Sequence, residues 1–306
     1  MLRFTVRRLI GAVPTLLLIV TVSFFLMHVA PGGPFDRERI VPPEIEARLA
    51  HAYHLDEPLP LQFLRYLGDL ARGDFGPSLK YKDFTVTELI WGGFPTSLKL
   101  GGLAMLFAFV AGVSIGTLAA LRQNSSADYS AMGIAMTGIV IPNFVLAPLL
   151  TLVFGLWLSW LPVGGWGDEV KFMVLPVIAL SLYQVGFIAR LTRGSMIEVL
   201  RTNYVRTARA KGLPERITLL RHALKPALLP VISYLGPAVI NTITGSVVVE
   251  QIFGIPGIGR YFVQAALNRD YTLVMGVTIF YGVLIIFANL AVDLLYGVLD
   301  PRIRYD

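Results

Sequence analysis

Cysteine is absent from the 306 residues. No disulfide framework can hold the chain together, no sulfur ligand is on hand, and the redox compartment is left open. Charge is scarce as well. Asp, Glu, Lys and Arg supply 15% of the sequence against 55% hydrophobic residues, where a soluble domain carries roughly 25% charge. With a mean hydropathy of +0.66, that balance points to an integral membrane protein. The net charge of +6 is too small to argue for a nucleic-acid partner. The four histidines, His28, His51, His54 and His222, show no HExxH or other metal-ligand spacing; His51 and His54 read as a solvated surface pair. Neither a GxSxG elbow nor a GxxxxGK[ST] phosphate loop occurs. Low-complexity tracts and internal repeats are missing too. The chain thus carries no visible means of hydrolysing ATP or of covalent catalysis, and no cofactor or metal site of its own.

Long apolar runs are what it has in plenty. Leu9 to Ala30 is a near-unbroken run, and about 20 residues suffice to cross the hydrocarbon core. It exceeds the roughly 7–15 residues of a signal-peptide core, and Met27-His28-Val29-Ala30 lacks a small-residue cleavage pattern. It reads as a retained first helix. Further spans at about 98–121, 130–158, 172–190, 231–249 and 273–298 make six in all, with both termini on one side. Pro142 and Pro148 predict a kink inside 130–158. The expected fold is an all-α integral membrane protein of six transmembrane helices, with a small extracytoplasmic helical segment and a cytoplasmic helical loop.

Residues 31–95 differ in kind, being charged and without a run long enough to span. Ile45, Leu49 and Tyr53 put a stripe on a helix from Pro43 to His54. Leu61, Leu64, Leu67 and Leu70 make a second stripe ending at Gly73. Thr85 and Glu88 fit a capping box for a third, shorter helix, and Gly92-Gly93 and Gly164-Gly165 read as turns. The segment is either an interfacial decoration or a platform for an external partner. The chain thus divides into 1–30 (amino terminus and first span), 31–95 (extracytoplasmic segment) and 96–306 (membrane domain).

Charge sorts the sides. The amino terminus, the 122–128 loop, the 190–230 loop and the tail hold fifteen Lys and Arg against five Asp and Glu. The opposite segments hold eleven against fourteen. The basic excess marks the cytoplasmic face, so both termini and the 190–230 loop are expected there.

That loop is basic and folded in character. Ser195 with Glu198 fits a capping box at a helix start, Gly212 after Lys211 fits a helix stop, and Pro214 opens a second helix. Val199, Leu200, Tyr204 and Ala208 recur at helical spacing, as do Ile217, Leu220 and Leu224. Each short helix offers an apolar stripe beside a basic face, as a docking element would.

Polar residues inside the spans are few: Asn143, Gln184, Asn241, Thr242, Thr244, Ser246, Asn289 and Asp293. Such residues line pathways or serve helix packing; both readings stay open for the fifth-span group. Asp293 either lines a pathway or pairs with a basic residue at the cytoplasmic end. Phe253-Gly254-Ile255-Pro256-Gly257-Ile258-Gly259 is too rich in Gly and Pro to be helical and too apolar for an exposed loop. A re-entrant or interfacial hairpin fits both facts.

At Arg206-Thr207-Ala208-Arg209-Ala210-Lys211-Gly212 the loop resembles the cytoplasmic EAA loop of permeases in ATP-binding-cassette importers. Ala208 falls on the motif's second alanine and Gly212 on its glycine. Arg206 replaces the glutamate, Thr207 the first alanine, and Lys225 stands at the motif's proline with Pro226 one place late. Toward the peptide-importing branch the likeness runs end to end. It includes Arg193 to Leu200, Arg221-His222-Ala223-Leu224, Ala30-Pro31-Gly32, Gly73-Asp74-Phe75-Gly76 with Ser78, the 253–259 hairpin and Asn268-Arg269-Asp270-Tyr271. The whole chain is similar to the B-type permease subunits of oligopeptide importers in Gram-negative bacteria.

The resemblance implies a heterodimer with a homologous C-type permease, two cytoplasmic ATPases that hold ATP and magnesium, an external peptide-binding protein and a peptide substrate. It implies a multi-pass protein of the bacterial inner membrane that is not itself an enzyme. On it, Glu198, Tyr204, Arg206, Ala208, Lys211 and Gly212 are expected at the ATPase. Asn143, Gln184, Asn241, Thr242, Thr244, Ser246 and Asp293 are expected along the pathway, and Gly254, Pro256, Gly257 and Gly259 at the external gate or binding-protein contact. Importers of dipeptides, nickel or murein peptides share the architecture. A stand-alone carrier using Asp293 is the alternative from another class.

Overall fold

Backbone polar groups cannot stay unpaired in hydrocarbon, so an apolar chain satisfies them inside helices. The computed structural model describes residues 2–29 and 56–299, and most of them are helical. The helix expected at 43–54, the Ala30-Pro31-Gly32 element, the His51/His54 pair and the basic tail lie outside the described residues. In order the helices are α1 Leu2–Val29, α2 Leu59–Leu70, α3 Val86–Leu121, α4 Ser126–Val140 and α5 Asn143–Leu150, which continues as a π-helical stretch Thr151–Trp157. Then come α6 Lys171–Leu200, α7 Asn203–Ala210, α8 Glu215–Ile217, a second π stretch Thr218–Leu224 and α9 Lys225–Ala227. The last three are α10 Leu229–Phe253, α11 Ile258–Asn268 and α12 Tyr271–Leu299.

Helices α1, α3, α6, α10 and α12 are long and apolar enough to cross a membrane, and α4 with α5 forms a sixth, broken candidate bent by 111°. The expected kink at 130–158 is therefore a full break. Pro142 disfavours the helical conformation at the residue before it, and Ile141 is extended at φ −89° and ψ 116°. The chain restarts at once, with the Val145 and Leu146 N–H groups donating to the Pro142 carbonyl.

The chain forms two compact units, residues up to 97 with those from 256 onward, and residues 98–255. In the first, α1 runs against α12, where a Cβ at Gly282 would sit 3.1 Å from the Ile19 side chain. The core gathers Val86, Ile90, Ile258, Leu273 and Val277. Rings of Phe24 and Phe63, 5.2 Å apart, hold α2 to α1. The capping box expected at Thr85 forms: the Thr85 N–H donates to Glu88 Oε2 at 2.8 Å and the Glu88 N–H to Thr85 Oγ1 at 3.2 Å. The helix it opens is not short, however, but runs without interruption through Pro95 into the span. Gly92 and Gly93 lie inside it and are not turns. Gly93 is needed for close approach, because a Cβ there would meet the Ile258 nitrogen at 2.9 Å.

In the second unit the tightest crossing joins α4 to α6. A Cβ at Gly138 would strike the Leu182 carbonyl oxygen at 2.4 Å, and one at Gly186 the Ala135 carbonyl oxygen at 2.6 Å. Small residues let membrane helices approach this closely, where packing rather than hydrophobicity drives association. Leu100, Leu175, Leu180, Val249 and Phe253 fill one core cluster of this unit.

Candidate functional site

The loop expected between spans is built differently from its sequence reading, and the difference sharpens it. Helix α6 continues unbroken to Leu200, so Ser195 and Glu198 sit inside it and cap nothing. The reason is burial: Thr192 and Met196, one turn apart, are fully buried and hold the span's helix together past Ser195. The break comes at Arg201–Thr202, after which α7 starts with Thr202 extended at φ −71° and ψ 153°.

Helix α7 ends in a Schellman motif. The Gly212 N–H donates to the Arg209 carbonyl at 2.9 Å and the Leu213 N–H to the Ala208 carbonyl at 3.3 Å, with Gly212 left-handed at φ +77°. That conformation, cheap for glycine alone, turns the chain back. Pro214 then precedes α8, and its carbonyl accepts from the Ile217 and Thr218 N–H groups. The returning arm packs against α7, with Val205, Ala208, Thr218 and Ala223 buried. Arg209 closes the hairpin with a fork onto Glu215, Nε to Oε2 at 3.1 Å and Nη2 to Oε1 at 2.6 Å. The Arg209 hydrogen bonds hold the Glu215 carboxyl below its ordinary range.

Of the residues expected at an ATPase, Tyr204, Arg206, Lys211 and Gly212 are exposed on α7 and its turn. Ala208 faces inward, 6% exposed, and supports the hairpin. Glu198 is exposed on the end of α6. Apolar Leu213, Ile217 and Leu220 are exposed on the turn and returning arm. The outer surface is thus a basic and aromatic ridge with an apolar flank.

Pro226, the proline that falls one place late, follows directly on the π-helical stretch Thr218–Leu224, as the second residue of α9.

A clamp that sequence reading missed fixes the base of this hairpin. Asp128, 1% exposed, accepts Arg193 Nε at 2.7 Å and Nη2 at 2.6 Å and the Asn124 N–H at 2.9 Å. Arg201 adds a bond to Gln123 at 3.1 Å. The start of α4 is thereby bolted to the lower part of α6, the helix that carries α7. The available signal was Ser125 three residues before Asp128: the Ser125 hydroxyl caps α4 by accepting the Asp128 N–H, which turns the carboxylate into the fold.

The polar residues of the spans separate into two groups. Gln184, Thr242 and Ser246 are buried and bonded within the unit. Gln184 Nε2 donates to the Ala238 carbonyl at 3.3 Å and its Oε1 accepts from Tyr234 at 2.7 Å. Thr242 donates to the same carbonyl at 2.8 Å and Ser246 to that of Ile243. Asn241 and Thr244 lie on the exposed face of α10 with Val248; Asn143 is half-buried at the start of α5. Asp293 pairs with Arg8 at 3.0 Å across α1 and α12.

The 253–259 stretch is less irregular than expected. Phe253 ends α10 and Ile258-Gly259 opens α11, because Gly254 alone, at φ +66°, turns the chain while Ile255 N–H caps the Glu250 carbonyl. Gly254 and Pro256 are exposed; Gly257 and Gly259 are buried. Farther on, two separate sequence features meet. Asp270, fully buried, accepts the Ser78 hydroxyl at 2.5 Å and the Leu79 and Lys80 N–H groups. It also caps α12 through the Leu273 N–H. Among the described residues no three His, Asp or Glu side chains gather as a metal site would.

Comparison with known proteins places this arrangement. Residues 112–305 match the family described as binding-protein-dependent transport system inner membrane component, and residues 1–100 match its amino-terminal counterpart. Among curated proteins, the oligopeptide transport system permease protein OppB of Salmonella typhimurium is 58% identical over the full length of both chains. That of Haemophilus influenzae is 55% identical, again over both full lengths. The dipeptide transport system permease protein DppB of Bacillus subtilis is 45% identical over 99% of this chain and 98% of its own. Two solved transporters share the fold at 18% identity over 69% of this chain. One is the inward-facing methionine ABC transporter MetNI, with a TM-score of 0.59 over 96% of that chain. The other is an amino acid ABC transporter crystallised with histidines, with 0.54 over 94%. The chain belongs to the family of inner-membrane components of binding-protein-dependent transport systems.

Proposed function

We propose that this chain is the B-type permease subunit of an ATP-driven oligopeptide importer, and that the α7 hairpin is the part a cytoplasmic ATPase grips. The observation that carries this reading is α7 itself. It is a short helix stiffened from behind by Val205, Ala208 and the Arg209–Glu215 fork, with Tyr204, Arg206 and Lys211 left outward. The Asp128–Arg193 pair, its carboxylate buried, lies at its root. A ridge of this kind suits a groove with an acidic rim, and the clamp passes its movement to α4 and α6 together. Magnesium and ATP belong to the ATPase subunits. The basic excess on the termini and the 190–230 loop supports a cytoplasmic position for them.

The peptide pathway lies along the exposed face of α10 marked by Asn241 and Thr244, opposite a homologous C-type permease. Gln184, Thr242 and Ser246 shape that helix from behind. Asp293, tied to Arg8, is structural and carries no ion. The 254–259 turn and α11, braced by Asp270 on Ser78, meet an external peptide-binding protein. The full-length likeness to OppB supports the oligopeptide substrate. Reconstitution with the cognate ATPases, C-type permease and binding protein tests the reading. Peptide uptake must require all of them, and uptake by this chain alone would refute it.

A further inference from the structure

Between α1 and α12 lies a cleft of about 460 Å³ whose walls include Arg7, Arg8, Gly11, Thr15, Asn289 and Asp293. Past the two arginines α1 offers small side chains, Gly11, Ala12 and Thr15, and a Cβ on Gly11 would find nothing within 4 Å. One end is charged and polar. The other is apolar, lined by Ala12, Ile286 and Leu290, and opens along the exposed apolar residues of α1 that continue the Arg7–Gly11 side at helical spacing, Leu18 and Val22. Asp293 is engaged with Arg8, while Arg7 stands exposed at the mouth.

We propose that this cleft is a binding site for an anionic phospholipid. Arg7, helped by the Asn289 amide, takes the phosphodiester headgroup, and the acyl chains lie along α1. Three features point to a lipid and not to a free solute. The cleft sits at the end of two spans, where headgroups lie; its polarity is graded from guanidinium to hydrocarbon; and its apolar end opens sideways onto the face that the bilayer covers. Basic pockets between spanning helices take acidic headgroups for this reason. The Arg8–Asp293 pair holds the two helices at the right separation and keeps a carboxylate from repelling the phosphate. None of this depends on which substrate the protein transports.

The test is native mass spectrometry of the transporter as isolated in detergent, titrated with phosphatidylglycerol, with phosphatidylcholine or with inorganic phosphate. Wild type, Arg7→Gln and Gly11→Leu are compared. Gly11→Leu fills the cleft and leaves every charge in place. Phosphatidylglycerol is expected to bind wild type in preference to phosphatidylcholine. Arg7→Gln should weaken that binding about fivefold, as loss of one basic contact near a membrane surface does, and Gly11→Leu should abolish the same adduct. Equal binding of the two lipids, or an adduct unchanged in both variants, overturns the proposal. So does displacement of the lipid by millimolar phosphate, which would make the site one for the free anion. A melting temperature within a few degrees of wild type certifies each variant as folded.

Discussion

Gly212 shows how much one residue decides. Its φ of +77° carries the hairpin turn, and a Cβ there meets nothing within 4 Å. A substitution is penalised by backbone alone, about 1–2 kcal/mol for a β-carbon in the left-handed region. Gly212→Val is expected to weaken capture of the ATPase subunits in a pull-down by about tenfold, at that energy. Gly212→Asn, which tolerates this conformation better, should keep most of it; equal loss in both would place the effect in side-chain bulk. Asp270 is the opposite case, a residue whose value lies in its acceptors. Asp270→Asn turns an NH₂ toward groups that already donate, at a cost of about 2–3 kcal/mol. Thermal unfolding in detergent should fall by several degrees, with new protease cleavage between residues 76 and 84.

Glu215 makes the hairpin sensitive to acid. Its carboxyl titrates lower in the folded hairpin than in an open one, because Arg209 donates to the charged form. The fork therefore contributes fully above the ordinary glutamate value of about 4.3 and is lost as pH falls through the lower, folded one. Spin labels at positions 210 and 217 should report a narrow distance at neutral pH that broadens below about pH 4. Glu215→Gln should give the broad distribution at every pH.

At the scale of elements, the same sequence pattern succeeded once and failed once. Thr85 with Glu88 and Ser195 with Glu198 both spell a capping box. At Thr85 the chain arrives from a turn, with Asp83 left-handed at φ +66°, so the hydroxyl and carboxylate find free N–H groups. At Ser195 the chain arrives already helical, pinned by Thr192 and Met196, and those N–H groups are taken. A capping box names a helix start only where the preceding residues leave the helix, and burial decides that. The six apolar stretches and the Gly212 stop were legible in local chemistry. The Asp128–Arg193 and Ser78–Asp270 bonds were not, since each joins residues whose neighbours say nothing of the partner.

The α4–α6 crossing gives a prediction at this scale. Gly138→Val and Gly186→Leu each push a side chain into a carbonyl of the facing helix and should cost about 2–3 kcal/mol or prevent folding. Gly133→Ala, on α4 but facing open space, should leave the melting temperature unchanged. Alanine favours a helix over glycine, so a fall as large as that of Gly138→Val would show that contact with the facing helix does not set the cost.

Over the whole molecule, scarcity of charge becomes information. Where charges are so few, their placement reports the two sides of the membrane, and the basic side is the one carrying α7. The π stretch, the Schellman turn and the Asp128 clamp all serve to hold one short helix in a fixed pose at the end of α6.

The absence of cysteine makes the decisive measurement simple. Arg206→Cys is the sole thiol of the chain, on the exposed side of α7. In intact cells it should resist a membrane-impermeant maleimide, and in isolated membranes it should cross-link to the ATPase subunit at a yield that changes with nucleotide. Labelling from outside, or no cross-link to the ATPase in any nucleotide state, would contradict the account.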